Sequence, residues 1–431
     1  MSQMTICFLI FLFVILGYIF YEKTKIPMGV TAMAALVLLV ITGCIDSPTA
    51  LSGFSNANTI VILNMFIVAA GFGRTQMVSK VASSIHKLGG GSFNKTLAGF
   101  ILISCILAQF IPSPLIAFSV IYPMVVAMCN DMGISPSKAI FPVGFTTVAT
   151  CGVLPVGSGA VAFVTANGYL ESFGAIQRFE MLDFFKARLP VLAVILAYSI
   201  FIAPKFAPDK PPVPLADIKT KGLKGPEPLS PTREIIGYVT FAVVTVALMI
   251  SSALPLANWQ ITMIGAVIMV GSGVLSSKEV LNAIPLRIIC MYIGALALGA
   301  ALSATGAGDL IGQWLSGALN NTTNGYVIGF LFFSVPFLVT QVMQNQSVTS
   351  IFTPIAIMGC QALGCNPLGP LILVQAASLT AYMTPMATGT VPIMMGAGGY
   401  DLKSLFKQGW LPALLICAVS VLWTMTLFPA F

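Results

Sequence analysis

The stretch QFIPSPLIAFSVIYP, residues 109–123, interrupts a long apolar region that carries no charge nearby. It contains three prolines, two serines and a glutamine. An unpaired backbone group in hydrocarbon costs several kcal/mol, so a helix break here must be buried in protein or line a cavity. Ser113 followed by Pro114 is typical of the N-cap and first position of a helix. The stretch therefore predicts two helical arms that meet around Ser113, with roughly half a positive charge at the start of the second arm.

A second stretch of this kind, QVMQNQSVTSIFTP, occupies residues 341–354. Amides and hydroxyls again interrupt an apolar region, and a proline again follows. Two such breaks at corresponding places in two halves of a membrane chain are the best sequence-level indication of a transporter's binding site. Gln109 and Gln341 open the two stretches. We predict that their side chains pack or hydrogen-bond the backbone at the hairpin tips and do not contact ligand.

The composition indicates a membrane protein that crosses the bilayer many times. Of 431 residues, 57% are hydrophobic and 8% are charged, whereas a soluble domain has about 25% charged residues. The net charge of +7 comes from basic residues between apolar segments, where they fix orientation, so it does not indicate nucleic-acid binding. The nine cysteines form no C-x-x-C pair and lie mostly in apolar runs, which argues against a metal site or a disulfide framework.

The apolar runs predict an all-α polytopic membrane protein with about ten transmembrane spans and two re-entrant helical hairpins. The hairpins are placed at 96–129 and 326–357, and two of the spans, 139–165 and 370–396, are broken in the middle. A proline-rich stretch at 204–234 predicts a solvated cytoplasmic linker between two membrane units. The simple spans are 4–21, 27–43, 57–73, 189–203, 235–254, 258–275, 288–303 and 411–428.

The basic residues support this layout. Seventeen of the 20 fall on the side of the linker, and only Arg178, Lys186 and Arg188 fall on the other. The split follows the positive-inside rule and predicts a multi-pass protein of the cell membrane with both termini outside. It fits re-entrant hairpins and pairs of short spans equally, because both return the chain to the side it left. The layout leaves no charged side chain within the membrane, which argues against a carboxylate-based cation/proton exchanger.

The two halves of the chain repeat each other at an offset of 230 or 231 residues. Because the copies begin an odd number of crossings apart, we predict that they are inverted in the membrane. The matching pairs are Pro123 and Pro354, Pro155 and Pro385, and Gly168-Tyr169 and Gly399-Tyr400.

The two broken spans carry polar segments of their own, TCGVLPVGSGA at 150–160 and TPMATGTVP at 384–392. Glycines let the main chain approach a ligand closely. Freed carbonyls can coordinate Na⁺, and exposed N–H groups and helix N-termini can hold an anion. Local packing explains any single residue of this kind, but four breaks repeated at one offset favour a binding site. The side chains that could complete it are Ser113, Ser158, Thr384, Thr388, Thr390, Gln344, Asn345 and Gln346.

Enzymatic functions fit the sequence poorly. Gly157-Ser158-Gly159 could suggest a membrane serine hydrolase, but a nucleophilic serine needs a positioned base. The single histidine, His86, lies in a basic loop, and no aspartate pair lies in a span. We therefore predict a protein that is not an enzyme and that needs no cofactor.

At these residues the chain resembles the divalent-anion/sodium symporter family, the dicarboxylate, citrate and sulfate carriers of the wider ion-transporter superfamily. The resemblance covers nearly the whole length. Residues 50–56, ALSGFSN, look like that superfamily's pattern before its first hairpin. The family places Ser-Asn-Thr at each hairpin tip, where this chain has SPL at 113–115 and QNQ at 344–346. Its Thr-Pro-x-Gly-Thr element is matched by TPMAT at 384–388 and more loosely by LPVGS at 154–158.

The resemblance implies an elevator-type carrier, a homodimer in lipid, with substrate between the two tips and Na⁺ between each tip and its broken span. Scaffold and dimer contact would come from 1–95 and 235–325, and the moving transport unit from 96–203 and 326–431. The matching substrate positions are Ser113, Gln344, Asn345, Gln346, Thr384 and Pro385. The matching cation positions are Ser113, Cys151, Gly152, Gly157, Ser158, Asn345, Ala387 and Thr388.

Departures from the family pattern change this expectation at both tips. Pro114 and Leu115 remove an amide and a hydroxyl from the first tip, which counts against a sodium ion there. The glutamines beside Asn345 enlarge the second tip and should narrow or reshape the substrate cavity.

These observations predict Na⁺-coupled or exchange-type secondary transport of a small di- or tricarboxylate. With no Arg or Lys within the membrane in this layout, co-bound cations would have to offset the desolvation of a dianion. Alternatives are a permease for sulfate or arsenite, a cation/proton exchanger, and a sensor or scaffold built on a transporter fold.

Overall fold

The computed structural model describes residues 2–20, 24, 26–76, 92–111, 113–215, 229–250, 254–284, 286–308, 310, 317, 322–385 and 387–431. Within these residues the regular structure is entirely helical. The first half contains α1 (Gln3–Ile19), α2 (Met28–Ile41), α3 (Ser47–Ser55), α4 (Ala57–Gly73), α5 (Phe93–Phe110), α6 (Pro114–Asp131), α7 (Ile140–Ala149), α8 (Ser158–Ser172), α9 (Asp183–Ala197) and α10 (Ala203–Phe206). The second half contains α11 (Pro231–Met249), α12 (Asn258–Gly271), α13 (Ser277–Ala283), α14 (Leu286–Thr305), α15 (Gly325–Thr340), α16 (Asn345–Leu363), α17 (Leu368–Ser378), α18 (Thr390–Gly398) and α19 (Leu402–Leu427).

Seven helical segments of the described chain are long and apolar enough to cross a membrane, and five shorter helices are also apolar. Both arms of the first predicted hairpin, α5 and α6, belong to the longer group. The predicted class, an all-α polytopic membrane protein, is confirmed.

The helices occur in the same order twice. Two long helices, a short helix joined to a long one, a hairpin, a broken helix and a final long helix form α1 to α9, and the same series forms α11 to α19. The copies pack reciprocally, because α2 of the first lies against α14 of the second, and α4 of the first lies against α12 of the second. This is the packing expected of two copies related by a pseudo-twofold axis.

The predicted break at Ser113 is present and has the expected local cause. The Ser113 hydroxyl accepts the Ile116 N–H at 3.4 Å as an N-cap, and Pro114 is the first residue of α6. At the matching place in the second half, α15 ends at Thr340 and α16 begins at Asn345. Pro123 and Pro354 lie inside α6 and α16 at corresponding places.

The breaks in the two interrupted spans lie in the protein interior. All ten residues of α7 are buried, and nearly all of α17 is buried as well. Each helix ends before a non-helical segment, 150–157 or 379–389, and the chain then resumes as α8 or α18. This placement meets the requirement that non-helical backbone at membrane depth be surrounded by protein.

Arg188 corrects the predicted layout of charges. The helix that contains the predicted span 189–203 begins earlier, at Asp183, so Arg188 lies inside α9 and its residue is only 2% exposed. The segment Asp183–Phe206 is one of the seven candidate spans. Arg188 is therefore a buried charge inside a candidate span, where the predicted layout has none, because the polar residues before the apolar run are helical and not part of a loop.

The described part of the predicted linker 204–234 contacts both halves of the chain. Its first residues complete α10, and the Val213 N–H donates to the Gly399 carbonyl at 3.0 Å. Asp209 pairs with Lys138 at 2.6 Å. Residues 216–228 of the linker and the loop that contains His86 lie outside the described residues.

Candidate functional site

Gln109 joins the first hairpin to the first broken span. Its Nε2 donates to the Cys105 carbonyl of its own helix and to the Thr150 carbonyl, both at 2.8 Å. Its Oε1 accepts the N–H groups of Val153 and Leu154 at 3.0 Å each. The side chain therefore satisfies three backbone groups at the break of the first broken span, those of Thr150, Val153 and Leu154, and adds a bond to a carbonyl within its own helix.

Gln341 repeats this arrangement in the second half. Its Nε2 donates to the Phe337 carbonyl at 3.1 Å and to the Thr380 carbonyl at 2.9 Å. Thr380 matches Thr150 at the offset of the repeat. Unlike the oxygen of Gln109, Gln341 Oε1 is buried and has no hydrogen-bond partner in the described structure. The prediction that both glutamines serve the tips agrees with these contacts.

Hydroxyl groups of the broken spans also hold the hairpins. Ser158 Oγ donates to the carbonyls of Ala108 at 3.0 Å and Gln109 at 3.2 Å. In the second half Thr384 Oγ1 donates to the Gln341 carbonyl. Each hairpin tip is therefore fixed to the broken span of its own repeat.

A cavity of about 220 Å³ lies where the two repeats meet. The first half contributes Pro114 from its tip and Cys151, Gly152 and Ser158 from its broken span. The second half contributes Asn345 and Gln346 from its tip, together with hydroxyls of α16 and the end of α17. The opposite wall comes from α4 and α14, where Tyr292 stacks edge-on against Tyr169 at 5.5 Å between ring centroids.

The cavity brings together five of the predicted site residues. It is lined by Cys151, Gly152, Ser158, Asn345 and Gln346. Ser113 does not line it, although the adjacent Pro114 does. The remaining predicted residues do not line it either; they are Gly157, Gln344, Thr384, Pro385, Ala387 and Thr388.

Several polar residues of the cavity were not predicted. Thr349, Ser350 and Thr353 line it from α16. They follow Asn345 by four, five and eight residues, the spacing of one helix face, so the pattern itself could have identified them. Gln375 and Ser378 line it from α17, and no motif in the sequence marks them.

A buried positive charge lies directly behind the cavity wall. Arg188 Nη1 donates to the Cys151 carbonyl at 2.7 Å, and Nη2 donates to the Ala149 carbonyl at 2.9 Å. Its Nε is buried without a partner, and no carboxylate pairs with the guanidinium in the described part of the chain. The negative end of the α7 dipole stabilises it. Cys151 lines the cavity, so this one residue separates the guanidinium from a ligand that contacts it.

The second tip has unpaired oxygen acceptors where the first repeat has a buried positive charge. The N-cap of α16, Gln344, makes no side-chain capping bond. Two amide oxygens near it, Gln341 Oε1 and Asn345 Oδ1, are buried without partners in the described structure. Oxygen ligands of this kind suit Na⁺, and an open helix N-terminus suits an anion.

Comparison with protein families gives a match over most of the chain. The family described as "Citrate transporter" matches residues 10–368. The sodium-dependent dicarboxylate transporter SdcS of Staphylococcus aureus is 22% identical over 429 residues, covering 92% of this chain and 81% of the relative. An uncharacterised transporter of Synechocystis is 30% identical over 145 residues, which are 34% of this chain and 24% of that protein.

Among solved structures, the YdaH transporter of Alcanivorax borkumensis has a similar fold. The TM-score is 0.62 at 14% identity, and the match covers 88% of this chain and 87% of the other. The family match and this fold identify a membrane transport protein rather than an enzyme, as the sequence predicted.

Proposed function

The chain belongs to the citrate transporter family, and from this premise we propose that it is a secondary active carrier of a small di- or tricarboxylate, coupled to Na⁺. The observation that carries the proposal is the cavity between the two tips, with an unpaired buried guanidinium behind it. A lone buried charge is costly. An anion in the cavity would be its counter-charge.

The geometry of the cavity favours a small anion. Drug-sized ligands occupy pockets of roughly 300–1,000 Å³, and this cavity of about 220 Å³ is smaller. The anion would lie at the N-terminus of α16, near Asn345. The expectation that only co-bound cations offset its charge is replaced, because Arg188 supplies one positive charge.

The second tip supports Na⁺ as the coupling ion. Gln341 Oε1 and Asn345 Oδ1 are acceptors that lack hydrogen-bond donors in the described structure, and oxygens of this kind are suitable ligands for a cation. The relative SdcS is named a sodium-dependent dicarboxylate transporter, which is the same combination of ion and substrate class.

The contacts support an elevator mechanism with the predicted division into scaffold and transport unit. Hydrogen bonds tie 96–203 to 326–431, since Tyr400 Oη donates to Ser137 O at 2.5 Å and Tyr198 Oη donates to Gln408 O at 2.7 Å. The boundary with 1–95 and 235–325 is mainly apolar packing. The helix arm that ends at the first tip places Phe110 against two scaffold rings, Phe72 at 5.1 Å and Phe241 at 5.4 Å between centroids. Such a surface can slide without breaking many hydrogen bonds.

The outer surface of the proposed scaffold fits lipid and a second copy of the chain. Val239, Val243 and Val246 of α11 are exposed, as are Ile264 and Val267 of α12. Apolar faces of this kind are stable in contact with acyl chains or with another protomer. We place the protein in the cell membrane as a homodimer, with both termini outside.

The proposal is tested by uptake into proteoliposomes that contain the purified protein. Labelled citrate, succinate, sulfate and arsenite are supplied with an inward Na⁺ gradient, with K⁺ in its place, or with unlabelled substrate inside. We expect citrate or succinate uptake that the Na⁺ gradient accelerates, with protein-free liposomes as the control. Uptake that needs internal substrate but no Na⁺ would indicate exchange instead. No flux of any anion would refute carboxylate transport and favour the sensor or scaffold alternative.

A further inference from the structure

The two repeats differ in one buried positive charge, that of Arg188, which lies in the first repeat. In the first repeat its guanidinium holds the carbonyls of Ala149 and Cys151. We propose that Arg188 is a built-in cation that takes the place of a mobile Na⁺ in the first repeat, so that only the second tip binds Na⁺ from solution. The inference rests on the proposed function and specifies its coupling.

The second repeat has no equivalent charge. At the offset of the repeat, the carbonyls held by Arg188 correspond to those of Leu379 and Ala381. Aligning Phe185-Lys186 with Phe406-Lys407 places Gly409 opposite Arg188. A Cβ atom on Gly409 would lie 2.5 Å from Met383 Cγ, so α19 packs directly against the second break and leaves no room for a basic side chain.

The free acceptors show the same difference. In the first repeat Gln109 Oε1 is satisfied by two N–H groups. In the second repeat Gln341 Oε1 and Asn345 Oδ1 are both buried without a partner in the described structure. Cation ligands are therefore open at the second tip, whereas the first repeat has a positive charge already bound to its carbonyls.

Electrostatics prevents a second cation from joining Arg188. A Na⁺ coordinated by the Cys151 carbonyl would lie next to the guanidinium that donates to the same oxygen. Like charges at that separation repel strongly where water is excluded. The site therefore holds Arg188 or a mobile ion, but not both.

A purely structural role would also explain the contacts, because cations stabilise helix C-termini. The two roles differ in what happens when the charge is removed. If Arg188 replaces an ion, a neutral side chain lets Na⁺ bind at the exposed carbonyls. If Arg188 only caps α7, a neutral side chain lowers stability without adding an ion.

The test is the melting temperature of the purified full-length protein as a function of Na⁺ concentration, with choline added to keep ionic strength constant. At concentrations well above Kd, each bound ion adds the same stabilisation per tenfold rise in concentration. We expect the wild type to show the slope of one bound Na⁺. We expect Arg188→Gln to show about twice that slope, and Arg188→Lys, which keeps the charge, to show the wild-type slope.

Arg178→Gln is the matched control. Arg178 also donates to backbone carbonyls, those of Ala175 at 2.5 Å and Gln177 at 2.8 Å, but it does not line the cavity. Its substitution should leave the slope unchanged.

Equal slopes for Arg188→Gln and the wild type would overturn the inference, and so would a wild-type slope of two ions. If Arg188→Gln does not fold, the slopes of the wild type and of Arg188→Lys test the inference. A slope of two bound ions in either protein would contradict it. When the wild-type slope corresponds to one ion or to none, the increase from wild type to Arg188→Gln still tests the role of Arg188. A wild-type slope of zero would instead refute Na⁺ binding at the second tip, which belongs to the proposed function.

Discussion

Gln109 donates from Nε2 to the carbonyl oxygen of Thr150 at 2.8 Å, and this contact joins the tip of the first hairpin to the end of α7. Gln341 makes the matching contact to Thr380 at 2.9 Å. The same bond therefore occurs once in each repeat, where the hairpin tip meets the broken span. It holds both walls of the cavity in place.

Replacing Gln109 should destabilise the protein strongly. Gln109→Leu removes four hydrogen bonds and leaves the N–H groups of Val153 and Leu154 buried without partners. Each such loss costs about 1 kcal/mol or more, so we expect a decrease of about 3 kcal/mol or more in the free energy of unfolding. Thermal denaturation in detergent measures it. Gln361→Leu, which removes one bond to Phe173, is the control, and equal losses in the two variants would contradict this role.

Gly157 should not tolerate even a methyl group. Its φ is +47°, and an added Cβ would lie 2.5 Å from the Gln109 carbonyl oxygen. Gly157→Ala must therefore push the first tip away from the broken span, and we expect loss of most substrate uptake. Gly174→Ala separates this clash from backbone strain, since Gly174 has φ of +67° and open space around it. Gly174→Ala should lower the free energy of unfolding by about 1 kcal/mol and preserve uptake. Similar uptake in Gly157→Ala and Gly174→Ala would disprove the clash.

Sequence patterns predict the local parts of this site. The helix start at Ser113 and Pro114 depends on capping and on proline geometry, which neighbouring residues determine. The second tip at Asn345 has no such cap or proline, and its likeness to the first polar stretch placed it instead. The repeat offset then predicts that the two tips correspond, and the structure confirms the repeated helix order.

The parts that depend on packing were not predictable in the same way. The sequence before Leu189 is polar, so Arg188 was assigned to a loop, and only the packing of α9 against the end of α7 shows that it is buried. Gln375 faces the cavity because α17 is oriented by its neighbours, and no local signal specifies that. Ser113 is predicted to bind ligand, and its hydroxyl also accepts the Ile116 N–H of its own helix.

The coupling ion should depend on Asn345. Its Oδ1 is buried and without a partner in the described structure, so Asn345→Ala removes a cation ligand. We expect the Na⁺ concentration for half-maximal uptake to rise about tenfold or more. Asn167→Ala is the control, because Asn167 bonds only the backbone of Phe179 in the described contacts. An unchanged Na⁺ dependence in Asn345→Ala would exclude this residue as a ligand.

The ion pair between Glu279 and Arg74 should make a small, pH-dependent contribution to stability. Hydrogen bonds from Ser276, followed by the Arg74 guanidinium at 2.7 Å, hold the pKa of the Glu279 carboxyl below its ordinary value. A carboxyl with a lowered pKa stabilises the fold above its unfolded pKa of about 4.3, and this stabilisation is lost as the pH falls through the folded value. Because the side chain is about a third exposed, we expect Glu279→Gln to cost at most about 1 kcal/mol at neutral pH.

Melting curves of wild type and Glu279→Gln between pH 3 and 8 check this sign. The difference should shrink as the pH falls below about 4. Glu180→Gln, at a side chain that is 80% exposed, is the control. A Glu279→Gln penalty that grows with acidity would show that the sign is wrong.

The most direct measurement is an experimental structure of the protein in a lipid environment with citrate or succinate and Na⁺ bound. We expect the carboxylate in the cavity between Gly152 and Asn345, a cation at the second tip bound by Asn345 Oδ1, and Arg188 still bound to the Cys151 carbonyl. A carboxylate bound outside this cavity, or a cation at the Cys151 carbonyl with Arg188 displaced, would contradict it.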